Sequence, residues 1–124
     1  MKENLIRDRS YQFALRVVSL YRVLIEQKKE FVLSKQMVRA GTSIGANVEE
    51  ATAGQSRADF VSKMSIASKE VRECNYWLRL LKDAGYLTEG QVRPLLEESV
   101  ALTRILTSIV KSTRENSNVK AERN

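Results

Sequence analysis

Lys69, Arg72, Tyr76 and Arg79 follow one another at intervals of three, four and three residues, which places them along one line of an α-helix. Three cations around one aromatic suit a nucleic-acid strand, with the cations on phosphates and the tyrosine ring stacked on a base. A solvated charged face has the same composition, so the stripe is a candidate interface. The flanking line of the same helix holds Ile66, Glu70, Glu73, Trp77 and Leu80. A tryptophan and two aliphatics are too apolar to face bulk water, and the two acids could pair with arginine across a boundary. That line suits extra core packing or a subunit interface.

Catalytic chemistry finds little support. The chain has no histidine, which removes Ser–His and Cys–His nucleophile pairs and the Glu-x-x-His metal motif of ferritin-like bundles. Glu70 and Glu73 share a face, but two carboxylates without a third ligand make a poor metal site. Cys74 falls on an apolar seam and reads as a small core hydrophobe. No glycine-rich loop follows a strand, so no phosphate cradle is expected. The expectation is a non-enzymatic protein with no catalytic residue, metal or cofactor.

The elements that must carry these residues are helices. With 43% hydrophobic and 29% charged residues, and only one proline in 124 positions, the composition is that of a single globular helical domain. Periodicity predicts four segments. The first covers about Asp8 to Gln27, with Phe13, Ala14, Val17, Val18, Tyr21, Leu24 and Ile25 inward. The second starts near Phe31 or Ser34 and reaches Thr52, with Leu33, Met37, Ala40, Ile44, Asn47 and Ala51 on its core line. The third opens on the capping sequence Ser56-Arg57-Ala58-Asp59, carries the seam Phe60, Met64, Ala67, Val71, Cys74, Leu78 and Leu81, and stops near Gly85. The fourth opens on Thr88-Glu89-Gly90-Gln91 and runs to about Arg114 through Leu95, Ser99, Leu102, Leu106 and Ile109. Pro94 implies a later start, with the proline in the first turn, or a mild kink.

Short connections make such helices antiparallel neighbours. The expected fold is therefore an all-α, up-down-up-down four-helix bundle over residues 1–115, with a polar, fraying tail over 116–124.

Within the second segment, Gly41 and Gly45 cost about 0.8–1 kcal/mol each relative to alanine. Close approach of a neighbouring backbone would offset that cost. Asn47, placed on the core line, would fix helix register or a subunit contact, as one buried polar residue can in coiled coils. Glu49 and Glu50 oppose the helix dipole and call for cationic partners, either Arg57 or a basic residue of another subunit.

The net charge of +6 and pI near 9.7 favour acidic partners such as RNA or DNA, although no block of like charge forms a nucleic-acid tail. The N-terminus MKENLIRDRS has no apolar core of a signal peptide, and no stretch approaches a membrane span. A single cysteine suits a reducing compartment. A cytoplasmic protein with no membrane partner is expected.

LSKQMVRAGTSIGANVEEA and QSRADFVSKMSIASKEVRECNYWLRLLKDAGYL resemble the bacterial four-helix-bundle family known as the 23S rRNA-intervening-sequence proteins. Gln36, Arg39, Ala40, Ser43-Ile44, Asn47, Glu50, Ser56, Asp59-Phe60, Ile66-Ala67, Glu73 and Gly85-Tyr86-Leu87 stand at the family's spacing, and the match spans roughly Tyr11 to Leu87. The resemblance implies an antiparallel four-helix bundle assembled as a ring-like homopentamer. It also implies a link to RNA, because family genes often lie inside intervening sequences of ribosomal RNA genes. A related branch, the accessory proteins of diversity-generating retroelements, implies a reverse transcriptase as a possible protein partner. The chain departs from the family at Glu49, where a small residue is usual, and at Ala51 and Gly54, where glycine and arginine are frequent. Two functions follow as expectations: a basic oligomer that binds RNA or other nucleic acid by charge and shape, or an oligomeric adaptor for another protein.

Overall fold

The computed structural model describes the backbone of residues 2–123 and, apart from residues 3 and 117–123, their side chains. Helices α1 (Lys2–Glu26), α2 (Leu33–Thr52), α3 (Arg57–Asp83) and α4 (Glu89–Arg123) follow one another in the chain. Each packs on its sequence neighbours and α1 closes the square against α4, while the diagonal pairs α1–α3 and α2–α4 stay apart. This is an all-α four-helix bundle. One core fills it, built on Phe13 and Val17 of α1, Met37 and Ile44 of α2, Met64 and Leu78 of α3, and Leu102 and Leu106 of α4, all fully buried. Burial of such side chains contributes about 1.5–3 kcal/mol each.

Helix boundaries follow local chemistry. Ser56 Oγ accepts the Asp59 N–H at 3.1 Å and starts α3. A reciprocal box starts α4: Gln91 N–H donates to Thr88 Oγ1 at 3.2 Å, and Thr88 N–H donates to Gln91 Oε1 at 2.9 Å. α3 ends where Gly85 takes φ +90°, a left-handed geometry that costs glycine nothing, and Tyr86 N–H returns to the Leu81 carbonyl at 2.9 Å.

Five expectations change. α1 begins at Lys2 rather than Asp8, because Ile6 continues the inward line and is fully buried, whereas Val18 turns outward and is 37% exposed. On α2 the core place given to Asn47 belongs to Val48, which is fully buried; Asn47 is half-buried and its amide donates to the Ser43 carbonyl of its own helix at 2.8 Å. Pro94 lies inside α4, which starts at Glu89, so the later start does not occur. Finally, α4 runs on to Arg123, since no glycine or proline follows Pro94 to break it. Asn124, the last residue of the expected tail, lies outside the described residues.

The α1–α2 contact is unequal along its length. A methyl group built on Gly41 would stand 2.7 and 2.9 Å from the two Cγ atoms of Val17, a buried β-branched side chain with little freedom to move. At Gly45 the nearest atoms, Ser10 Oγ at 3.4 Å and the Ser10 carbonyl oxygen at 3.6 Å, are at ordinary contact distance. Gly41→Ala is therefore expected to lower stability by about 1–3 kcal/mol. Gly45→Ala should leave stability unchanged or raise it by up to ~1 kcal/mol. Urea denaturation measures both, and equal losses would refute the asymmetry.

α2 is started by a residue outside the usual cap set. Val32 at its N-cap offers no side-chain acceptor. Instead the carboxylate of Glu30, itself only 8% exposed, accepts N–H groups of Val32, Leu33 and Ser34 at 3.1, 2.9 and 2.7 Å. Ser34 Oγ closes the loop on the Glu30 carbonyl at 2.6 Å. Burial pushes this carboxyl up, but the N–H donors outweigh burial and hold it below the ordinary glutamate range. A lowered native value means the contribution is present above the ordinary range and is lost as pH falls through the native value. Glu30→Ala is expected to cost about 1–2 kcal/mol at neutral pH, with a difference from the parent that shrinks in acid. Denaturation at pH 7 and pH 3 tests this; a pH-independent difference would contradict it.

Candidate nucleic-acid interface

α3 and α4 run antiparallel, so the start of one faces the end of the other. On the outer side of this pair lie three adjoining open depressions. At one end Arg57, Ser62, Lys69 and Arg114 border the first. Arg72, Thr107, Lys111 and Arg114 border the middle one, and Arg72, Arg79, Val100 and Arg104 border the third. The result is a groove with cations on both rims: Lys69, Arg72 and Arg79 on α3, and Arg104, Lys111 and Arg114 on α4. None of these six forms an ion pair among the described residues, and all are exposed. One acid, Glu115, lines the groove.

The structure thus puts Lys69, Arg72 and Arg79 on one surface, with Tyr76 beside them and 49% exposed. Arg79 reaches over the Tyr76 ring, its guanidinium carbon 5.9 Å from the centroid, within range of cation–π attraction. Its Nε donates to Asn75 Oδ1 at 2.8 Å, Asn75 Nδ2 donates to Ser99 Oγ at 2.8 Å, and Ser99 Oγ donates to the Leu96 carbonyl at 2.7 Å. Asn75 therefore positions Arg79 from the groove floor and also satisfies the buried hydroxyl of Ser99. The α4 rim was not among the expected residues. Its signal is the spacing of Arg104, Lys111 and Arg114, seven and then three residues apart, which is one helix line.

Of the line Ile66, Glu70, Glu73, Trp77 and Leu80, the two acids face the other way, toward α2, whereas Ile66 borders the first depression beside Lys69. Arg39 of α2 bonds Glu73 and reaches Glu70 Oε2 at 3.4 Å, so both acids find their arginine within the same chain. Trp77 Nε1 donates to Glu73 Oε1 at 3.4 Å, and the Trp77 ring meets Tyr76 edge-on at 5.0 Å. The Arg39 guanidinium holds the Glu73 carboxyl below its ordinary range, against burial. Trp77 and Leu80 are half-buried, and Ile66 is 38% exposed. At the end of α2, Glu50 pairs with Lys63 at 3.1 Å rather than with Arg57, and Glu49 has no ion pair among the described residues.

Among the described residues no group of three or more Cys, Asp or Glu side chains is placed to hold a metal ion, and no helix is long and apolar enough to cross a membrane. Cys74 is fully buried, its Sγ 3.8 Å from the Met37 carbonyl. Burial pushes the thiol up to about 12, and the Glu73 and Glu70 carboxylates act in the same direction. The thiolate is the reactive form. A disulfide reagent such as Ellman's should therefore leave Cys74 untouched in the native protein and titrate it fully in denaturant. Fast native reaction would show that the core opens there.

No curated protein matches the chain. Among solved structures it is similar to a protein of unknown function from the S23 ribosomal protein family of Bacteroides thetaiotaomicron VPI-5482. That likeness has 49% identity and a TM-score of 0.87, and it covers 90% of this chain and 99% of the other. The family model described as 23S rRNA-intervening sequence protein matches residues 2–108. A bundle of this topology, a close structural likeness at that identity, and a family match over most of its length agree: the chain belongs to the 23S rRNA-intervening sequence protein family.

Proposed function

We propose that this protein is a non-enzymatic, self-associating bundle that binds RNA, or nucleic acid more generally, along the α3–α4 groove. The observation that carries this reading is the set of six rim cations with no ion pair among the described residues. Several cations elsewhere on the bundle are matched: Arg9 with Glu98, Arg39 with Glu70 and Glu73, Lys63 with Glu50, Arg93 with Glu89. Arg7, Arg16, Lys28, Lys29 and Lys35 also lack an ion pair among the described residues, but none of them lines the groove. Unmatched like charges side by side repel, and a polyanion that displaces their counterions relieves the repulsion.

Self-association rests on a different surface. Tyr11, Leu15 and Val18 lie on the outward line of α1 and are 60%, 47% and 37% exposed. Since α1 sits diagonally across from α3, a second copy on this face leaves the groove open. The family resemblance implies a pentamer. Ile66, with Trp77 and Leu80 beside it, is a second and smaller apolar surface for the same role. The adaptor reading draws on Phe31 and Val32, exposed at 60% and 72% at one end of the bundle, where another protein could dock.

The test is binding of a fluorescent RNA across a salt series, with light scattering to follow the assembly. Affinity should fall steeply with salt, and an Arg72→Ala/Lys111→Ala/Arg114→Ala variant should lower the slope of log K against log salt by about 2–3. These side chains are exposed, so thermal stability should barely move. A monomer that binds no RNA, or a variant that binds as the parent does, would sink the proposal.

A further inference from the structure

Resting on the nucleic-acid reading, we infer that the groove takes a single strand, bases turned toward the floor and phosphates along the rims. The floor is what distinguishes this from duplex binding. Besides the cations, the depressions are lined by Val110 and by Val100, 48% exposed and on the same helix line as Arg104, with the hydroxyl-bearing Ser65, Ser68, Thr103 and Thr107 among them. A duplex presents phosphates and groove edges, its base faces already stacked, and has nothing to cover an exposed valine set among the cations. An unpaired base brings an apolar face to that valine and polar edges to the hydroxyls.

Tyr76 supports the same mode. Its half-exposed ring sits beside the rim rather than in the core, with Arg79 reaching over it and Trp77 against it edge-on. Phenol and guanidinium together form a platform for one splayed base. From Arg57 to Arg79 the axis of α3 rises about 33 Å, long enough for several nucleotides of an extended strand. Nothing in this arrangement requires a 2′-hydroxyl.

Anisotropy titrations with labelled U12, dT12 and a 12-base-pair RNA duplex test the inference. U12 and dT12 should bind within a few-fold of each other and at least tenfold more tightly than the duplex. Tyr76→Ala should weaken U12 about tenfold and leave the duplex unchanged, whereas Arg72→Ala/Lys111→Ala should weaken both. Equal or tighter duplex binding, or a Tyr76→Ala variant that holds U12 as the parent does, overturns the single-strand mode; a loss in the cation variant would then still uphold the groove as a nucleic-acid site. A tenfold or greater preference for U12 over dT12 overturns it in favour of sugar readout. Absence of binding to all three probes overturns both this mode and the reading beneath it.

Discussion

Val17 and Gly41 meet where no further carbon atom fits. Their contact fixes how near α1 lies to α2, and so where the remaining helices can stand. With α1 held at that distance, its other flank reaches α4, where Arg9 closes a two-pronged bond on Glu98 at 2.9 and 2.5 Å. α3 then fills the corner opposite α1 and, through its contacts with α2 and α4, completes the core. A glycine that is a poor helix former in isolation is thus the residue that sets the spacing of the square. The local conformational cost is offset by dispersion contacts along two helices.

The same packing creates the charge asymmetry. In the linear chain, basic and acidic residues are interspersed and no run of one sign stands out. Folding sorts them. The antiparallel pairing of α3 with α4 brings Arg114 beside Lys69 and Arg104 beside Arg79, while Glu70 and Glu73 of α3 turn to α2 and are neutralised by Arg39. One side of α3 is therefore electrostatically satisfied and the other is not. Exposed like charges are partly screened, with a Debye length of about 8 Å at physiological salt, which lets a bundle tolerate such a surface without losing its fold.

Much of the architecture was legible from spacing alone. The seams of α3 and α4, the Ser56 cap that starts α3 and the reciprocal box that starts α4 stand where the residue pattern places them. The misplaced residues share a cause: adjacent stripes on a helix differ by about 100°, and periodicity chooses between them only where large side chains vote. In α2 the competing lines run through Asn47 and through Gly41 and Val48, and glycine has no side chain to weigh. Glu30 escaped notice because cap preferences are tabulated for Ser, Thr, Asp and Asn at the N-cap itself, whereas Glu30 reaches forward from two residues before it. Half of the groove was readable on α3. The α4 rim becomes meaningful only once the helices are known to be antiparallel, because that pairing sets which cations share a surface.

The hydrogen-bonded line from Arg79 through Asn75 and Ser99 to the Leu96 carbonyl has an entropic consequence. An arginine free in water gives up about 2 kcal/mol of rotamer freedom when a ligand fixes it. Arg79 has surrendered much of that freedom during folding, before any partner arrives. Of the six rim cations it is therefore the one whose contact with a ligand would carry the smallest ordering cost, the place where the flexible strand proposed above would be anchored first.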